Sequence, residues 1–264
     1  MEITWMGTAG FKIRTMDQVF LVDPYLSRNL KAIPVQPLKP LDIEKPDAVF
    51  LSHGHFDHIR DVPDIAGRTG ARVFCSDTAG NTLNGFGLDR GLIEPVTRDS
   101  WSRNFGSFQA EAYFSEHVRF DKKLLFSTLL KINARFFKLY PLLKKFPCGQ
   151  VLSWRFMAEG LTLHFFGSAG SSKKELQTLA GSPIDILMVP LQGHSDICNI
   201  AFDYVRILNP KVVIPHHQDD FFPPISQFVD IRPFVRRVEK ECPGTRVKVM
   251  EINETWDTGS GHLV

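Results

Sequence analysis

The segment from Ser52 to His58, Ser-His-Gly-His-Phe-Asp-His, holds three of the nine histidines of the chain. It follows an apolar run, residues 49–51, and precedes a stretch with helical spacing, so it occupies the loop between a strand and a helix. Alternate side chains of an extended loop project the same way, so His53 and His55 can share one cation while Asp57 and His58 turn towards another. Imidazole and carboxylate are ligands of divalent first-row metals. The spacing therefore predicts a metal site at the end of a strand.

Alternating and apolar segments predict the elements that must position this loop. Strands are expected over residues 2–5, 11–14, 19–22, 48–51 and 72–75, with a helix over 59–67. The strand-loop-helix-strand order is typical of an α/β layer. Further along, residues 151–157 and 161–166 flank Glu159-Gly160 as a hairpin, and the remaining elements are strands at 108–113, 184–189 and 212–214 and a helix at 197–208.

The composition excludes several classes of protein. With 31 Lys plus Arg against 29 Asp plus Glu, the net charge of +2 does not favour nucleic acid as a partner. The 43% hydrophobic and 23% charged residues are typical of a soluble globular protein, and no apolar run reaches the roughly 18 residues of a membrane span. The first residues lack the pattern of a secretory signal, so a cytoplasmic location is expected. The four cysteines include no Cys-x-x-Cys pair, and we expect free thiols.

One segment differs from the rest of the chain. Residues 121–145 carry seven basic residues and one acidic residue among Phe and Leu at helical intervals. This pattern predicts a basic amphipathic insertion, residues 118–148, within a single domain of residues 1–264. The insertion is interpreted either as a lid over an apolar substrate site, as a surface that contacts anionic lipid, or as a helix that caps the core. A homo-oligomer formed through it would explain its apolar face.

The His-x-His-x-Asp-His loop resembles the signature of the metallo-β-lactamase superfamily. More narrowly, the chain is similar to the branch that contains L-ascorbate 6-phosphate lactonase. That similarity rests on the loop together with residues 4–11 (TWMGTAGF), 21–26 (LVDPYL), 190–194 and 213–217 (VIPHH), which follow the order of the branch. The resemblance implies an α/β fold, a four-layer αββα sandwich with metals at one edge between two sheets.

The resemblance also implies the ligands. His53, His55 and His117 would bind the first metal. Asp57, His58 and one histidine of the Pro-His-His element would bind the second. His217 is the favoured candidate and His216 the alternative, because adjacent residues of an extended chain point in opposite directions. Asp23 would support the ligand loop, although Asp before Pro is also common in simple turns.

Two residues depart from the pattern of the family. Ser168 stands where most relatives have an aspartate that bridges both metals, which leaves one or two ions as open alternatives. Thr8 stands where related sequences often have His. His194 lies in a loop that faces substrate in the branch, and it is interpreted as an oxyanion donor or general acid, or else as a structural histidine. Asp219 and Asp220, next to the Pro-His-His element, are interpreted as residues that reach the site or as a solvated loop pair, and the solvated pair is the favoured expectation.

The implied function is a metal-dependent hydrolase in which a metal-activated hydroxide attacks an ester, lactone or phosphodiester, with Asp57 accepting a hydrogen bond from the hydroxide. Zn²⁺ is the expected cofactor, with Mn²⁺ or Fe²⁺ as alternatives. The substrate would be a small molecule, or lipid-like if the basic insertion contacts it. The alternative is a metal-binding or regulatory protein that keeps the fold and has little catalysis because of Ser168.

Overall fold

Two seven-stranded β-sheets pack against each other in the computed structural model, which describes residues 1–119, 121–122, 144–171 and 173–259. Most of the predicted insertion, residues 120 and 123–143, lies outside the described residues, so its helical character and its interpretation as a lid or lipid-binding surface stay predictions. The division into one domain with an insertion also stays a prediction. Within the described ranges, no helix is long and apolar enough to cross a membrane.

The first sheet contains both ends of the described chain. Its strands are, in spatial order, β14 (Thr255–Asp257), β1 (Glu2–Trp5), β2 (Phe11–Arg14), β3 (Val19–Val22), β4 (Ala48–Phe50), β5 (Arg72–Cys75) and β6 (Ile93–Pro95). Strands β3 to β6 run parallel, and Leu21 of β3 pairs with Val49 of β4. The carboxyl ends of β3 and β4 therefore meet at one edge of the sheet.

The second sheet packs face to face against the first. Its strands are, in spatial order, β13 (Arg246–Val247), β12 (Val212–His216), β11 (Ile186–Pro190), β10 (Leu161–Phe166), β9 (Val151–Ala158), β8 (Phe108–Ser115) and β7 (Trp101–Asn104). Strands β9 and β10 form the predicted hairpin, with Glu159 and Gly160 at positive φ as a two-residue turn requires. Because β8 and β10 both run antiparallel to β9, the carboxyl ends of β8, β10, β11 and β12 share one edge.

Aromatic side chains fill the space between the sheets. Phe20 stacks on Phe108 with ring centroids 4.3 Å apart, and Phe50 meets Trp154 edge-on at 4.9 Å. Each of these rings comes from the inward face of its strand, as the alternation of the sequence predicts. Burial of such large rings is the main favourable term that holds the sheets together.

Helices cover the two outer faces. On the first sheet, apolar residues of β3 to β5 pack against α1 (Phe56–Ile59), α2 (Val62–Thr69) and α3 (Asp77–Gly85). On the second sheet, apolar residues of β10 to β12 pack against α4 (Lys173–Ala180), α5 (Ile197–Leu208) and α6 (Arg232–Glu241). The predicted αββα sandwich is therefore confirmed. The helix expected over 59–67 begins earlier and is broken into α1 and α2 at residues 60–61, where the Asp61 carboxylate accepts the backbone N–H groups of Leu26 and Ser27.

Candidate metal centre

The predicted site residues lie in the loops that follow strand ends at the shared edge. Asp23 follows β3, residues 52–58 follow β4, His117 follows β8 and His217 follows β12. Ligands that are far apart in the chain therefore meet because parallel strands end at the same edge of each sheet. Two groups of side chains able to hold a metal ion occur there within the described part of the chain.

The first group contains His53, His55, His117 and Cys148, each with one ligand atom within 4.8 Å of the others. His53 Nε2 and His55 Nδ1 are 3.0 Å apart. His117 Nδ1–H donates to the Val118 carbonyl oxygen at 2.8 Å, which selects the tautomer whose acceptor lone pair is on Nε2. Burial lowers the pKa of His53, His55 and His117, that of His55 to about 4, so these imidazoles are neutral at neutral pH. Neutral imidazole is the form that binds metal.

The second group contains Asp57, His58 and His217, all buried. Asp57 Oδ2 lies 3.3 Å from His217 Nε2 and 3.7 Å from His58 Nε2. Burial raises the pKa of the Asp57 carboxyl, but His58 and His217 outweigh it and hold that pKa below its usual value. The ring centroids of His53 and His58 are 4.0 Å apart, so the two groups are adjacent.

Asp23 fixes the ligand loop from beneath. Its Oδ1 accepts the Ser52 backbone N–H at 2.7 Å, and its Oδ2 accepts the Ser52 hydroxyl and His58 Nδ1–H, the latter at 2.7 Å. This bond selects the tautomer that exposes His58 Nε2 to the second group. Burial lowers the pKa of His58, but Asp23 and Asp57 outweigh burial and raise it. Asp23 has a φ of 42°, a strained value for a residue other than glycine, which indicates that its neighbours impose its position.

A buried ion pair positions His217. The His217 backbone N–H donates to the Thr8 carbonyl at 2.9 Å, and Thr8 N–H donates to Asp219 Oδ2 at 2.9 Å. Asp219 in turn pairs with Arg28, and both side chains are almost fully buried. The expectation of a solvated Asp219 is therefore wrong, because this carboxylate is enclosed and paired. Thr8 and His217 both have positive φ, so the turn that carries His217 is also conformationally constrained.

The histidine beside His217 lies in a different environment. His216 is fully buried and stacks on Phe165 at 5.2 Å, and its Nε2–H donates to the Phe166 carbonyl at 3.1 Å. Burial lowers its pKa well below the usual value. Its role in the geometry is packing between the sheets, whereas His217 is the one that meets Asp57.

Two other predicted residues lie outside both groups. Ser168 Oγ accepts the Val118 backbone N–H at 2.9 Å, so it supports the loop that carries His117. His194 is half-buried, and its Nδ1 accepts the Asp196 backbone N–H at 3.0 Å. This leaves its Nε2 available, although none of its described contacts joins it to the six predicted ligands.

The sequence interpretation missed Cys148 as a member of the first group. It was expected to be one of four unconnected free thiols, and the structure has no disulfide among them. No spacing rule relates Cys148 to the histidine loop, because it stands at the end of the predicted insertion, 90 positions after His58, and reaches the site only through the fold. Burial, with a smaller contribution from Asp57, raises the pKa of its thiol to about 11 in the absence of a cation.

The comparisons with known proteins agree with this geometry. Residues 2–217 match the family model described as the beta-lactamase superfamily domain. A UPF0173 metal-dependent hydrolase of Listeria innocua is 32% identical over 266 residues, which cover 96% of this chain and 98% of that one. The chain therefore belongs to the metallo-β-lactamase superfamily, as the resemblance predicted. The protein is a metal-dependent hydrolase.

Solved structures show the same fold at lower identity. Igni18, a metallo hydrolase from Ignicoccus hospitalis, superposes with a TM-score of 0.70 at 21% identity, covering 97% of both chains. CmlA, a diiron β-hydroxylase from Streptomyces venezuelae, has a TM-score of 0.63 at 16% identity, covering 97% of this chain and 53% of that one. These likenesses support the fold alone.

Proposed function

We propose that this protein binds one or two divalent cations in the adjacent groups and hydrolyses an ester, a lactone or a phosphodiester. The observation that carries the proposal is the convergence of neutral imidazoles, buried at His53 and half-buried at His55 and His117, with the buried Asp57 carboxylate at one edge of the sandwich. Buried groups of this kind are costly unless they are paired or coordinate a metal. The set of donor atoms fits a divalent first-row cation.

His53, His55 and His117 would hold the first cation, and Asp57, His58 and His217 the second. When bound, such a cation supplies Lewis-acid charge and lowers the pKa of water from about 15.7 towards about 7, which makes hydroxide available at neutral pH. Asp57 would orient the attacking water by accepting a hydrogen bond from it. Asp23 keeps His58 in the tautomer that the second group needs.

His194 is our candidate for the residue that assists the leaving group. It would act as a general acid or as an oxyanion donor through Nε2, because its Nδ1 already accepts the Asp196 N–H. The loop that carries His194 follows β11 at the shared edge, which is where the candidate ligands lie. Its replacement by Gln should lower kcat and leave metal content unchanged.

Zinc is the cofactor that the donor atoms favour. Imidazole nitrogen and carboxylate oxygen suit Zn²⁺, and Mn²⁺ or Fe²⁺ are the alternatives, the latter because a diiron protein shares the fold. The measurement is metal content per chain by plasma mass spectrometry, on protein purified without tag or chelator and again after reconstitution. Two equivalents would support the dinuclear form and one a mononuclear form. A value near zero after reconstitution would refute the proposal.

Replacing His55 by Ala should abolish first-group metal binding and hydrolysis of lactone, ester and phosphodiester panels. His164 provides the control, because it is a buried histidine that belongs to neither group. A His164→Leu variant that keeps its metal would show that losing a buried histidine is not enough to empty the site. A His55→Ala variant with full metal content and activity would overturn the ligand assignment.

A second candidate function is metal-dependent binding or regulation with little catalysis. Ser168 favours it, since a hydroxyl does not supply the charge of a bridging carboxylate. A Ser168→Asp variant separates the two functions, because Asp can still accept the Val118 N–H. Higher metal occupancy and activity in the variant would support a hydrolase with a weakened site. No change in either would favour the binding protein.

A further inference from the structure

Cys148 is the one member of the first group that the chain contributes from outside the histidine loops. Its Sγ lies within 4.8 Å of a ligand nitrogen of each of His53, His55 and His117. The group therefore combines three imidazoles with one thiol. Thiolate and imidazole together are a common ligand set of four-coordinate zinc.

The backbone of Cys148 is bonded directly to the ligand loop. Gly54 N–H donates to the Cys148 carbonyl at 2.8 Å, and Gly54 stands between His53 and His55. A Cβ at Gly54 would lie 2.2 Å from the Pro147 carbonyl oxygen, a distance that real side chains do not tolerate. The glycine in the middle of the His-Gly-His segment is thus what allows residues 147–148 to pack against it.

Contacts on both sides hold the thiol in place. Gly149 has a φ of +66°, and a Cβ there would lie 2.5 Å from Thr78 Cβ, so this residue is packed tightly against α3. Leu152 N–H donates to the Ser52 carbonyl at 2.7 Å, and Phe146 stacks on Phe86 with centroids 4.9 Å apart. The backbone is therefore held on both sides of Cys148, and these contacts keep the Cys148 thiol close to the histidines.

We propose that Cys148 is the fourth protein ligand of the cation in the first group, bound as thiolate after its proton passes to solvent. This inference rests on the proposed metal-dependent function and assigns a separate role to each group. The three histidines are neutral, so among the described residues the thiolate is the one anionic ligand of the first group. Four protein ligands close a tetrahedral site, whereas three leave one position open. Asp57, His58 and His217 are three, so the second group is the one that keeps a position for water or substrate.

Cobalt(II) reports thiolate ligation directly, because a bound sulfur gives an intense near-ultraviolet charge-transfer band that nitrogen and oxygen ligands do not give. The cobalt-loaded wild type should show this band. Cys148→Ser should lose it and bind cobalt in the first group at least about tenfold more weakly. Cys198→Ser is the matched control, since Cys198 is also half-buried but belongs to neither group, and it should keep the band.

A second measurement on the wild type alone does not depend on folding of a variant. Alkylation followed by peptide mass spectrometry should show that bound cobalt protects Cys148 and leaves the reactivity of Cys198 unchanged. The thiolate assignment would be overturned if cobalt bound at full stoichiometry without the band, or if Cys148 were alkylated equally fast with and without cobalt. Either result would leave the hydrolase proposal standing. Failure to bind cobalt at all would refute both.

Discussion

Replacing Asp23 by Asn tests whether the support beneath the ligand loop sets metal affinity. The Asp23 carboxylate is fully buried and accepts three hydrogen bonds, from Ser52 N–H, the Ser52 hydroxyl and His58 Nδ1–H. Asn has one acceptor oxygen and an NH₂ group, which would face a donor. We expect affinity for the second cation to fall about 10- to 100-fold, which corresponds to about 1.4 to 2.7 kcal/mol.

Asp61 offers a matched control for this substitution. It is also a buried carboxylate, and it accepts the backbone N–H groups of Leu26 and Ser27 at 2.5 and 2.7 Å, without a described contact to any candidate ligand. Asp61→Asn should therefore lower the melting temperature and leave metal affinity unchanged. The assay is competition for Zn²⁺ against a chelating dye, combined with thermal unfolding of the metal-free variants. Equal metal affinity in both variants would refute the reasoning.

Three further outcomes are expected. His217→Ala should lose the second cation by metal analysis, whereas His216→Ala should keep it and unfold at a lower temperature, because His216 stacks on Phe165; the reverse result would exchange the two assignments. Burial, followed by Arg155, lowers the pKa of His164 from 6.5 to about 3. At this position the unfolded chain therefore binds one proton more than the folded chain, and His164 alone should contribute a fall in stability of about 1.4 kcal/mol per pH unit as the pH drops from 6 to 4. In denaturant titrations of metal-free protein, His164→Leu should remove this contribution, and an unchanged slope would contradict the burial argument. Removing the metal with a chelator should lower the melting temperature of the wild type, as measured by calorimetry, because the cation binds only the folded chain; an unchanged value would contradict occupancy of the groups.

The local pattern of residues was sufficient to predict most of the helices and strands. Strands β1 to β3 and β5 and helix α5 have the predicted bounds. Strand β2 alternates in burial and α5 buries residues at helical spacing, whereas β1, β3 and β5 are short, almost wholly buried segments. The break between α1 and α2 was not predicted. It coincides with Pro63 in the first turn of α2 and with Asp61, whose carboxylate bonds to backbone groups more than thirty positions away. A long-range bond of this kind leaves no periodic signal in the sequence.

The sequence by itself determined the ligand loop, because His53, His55, Asp57 and His58 stand within six positions and their side chains diverge through local geometry alone. It also determined the family, because the order of the motifs along the chain can be recognised without knowledge of how the segments pack. Only the tertiary structure decided the rest of the centre. Cys148 reaches the histidines because Gly54 has no side chain to keep residues 147–148 away, and Asp219 is buried because Arg28 lies opposite it. Such contacts join segments that are distant in the sequence. Whether they form depends on which strands end at the same edge of the sheets, and the residues next to them in the chain do not decide it.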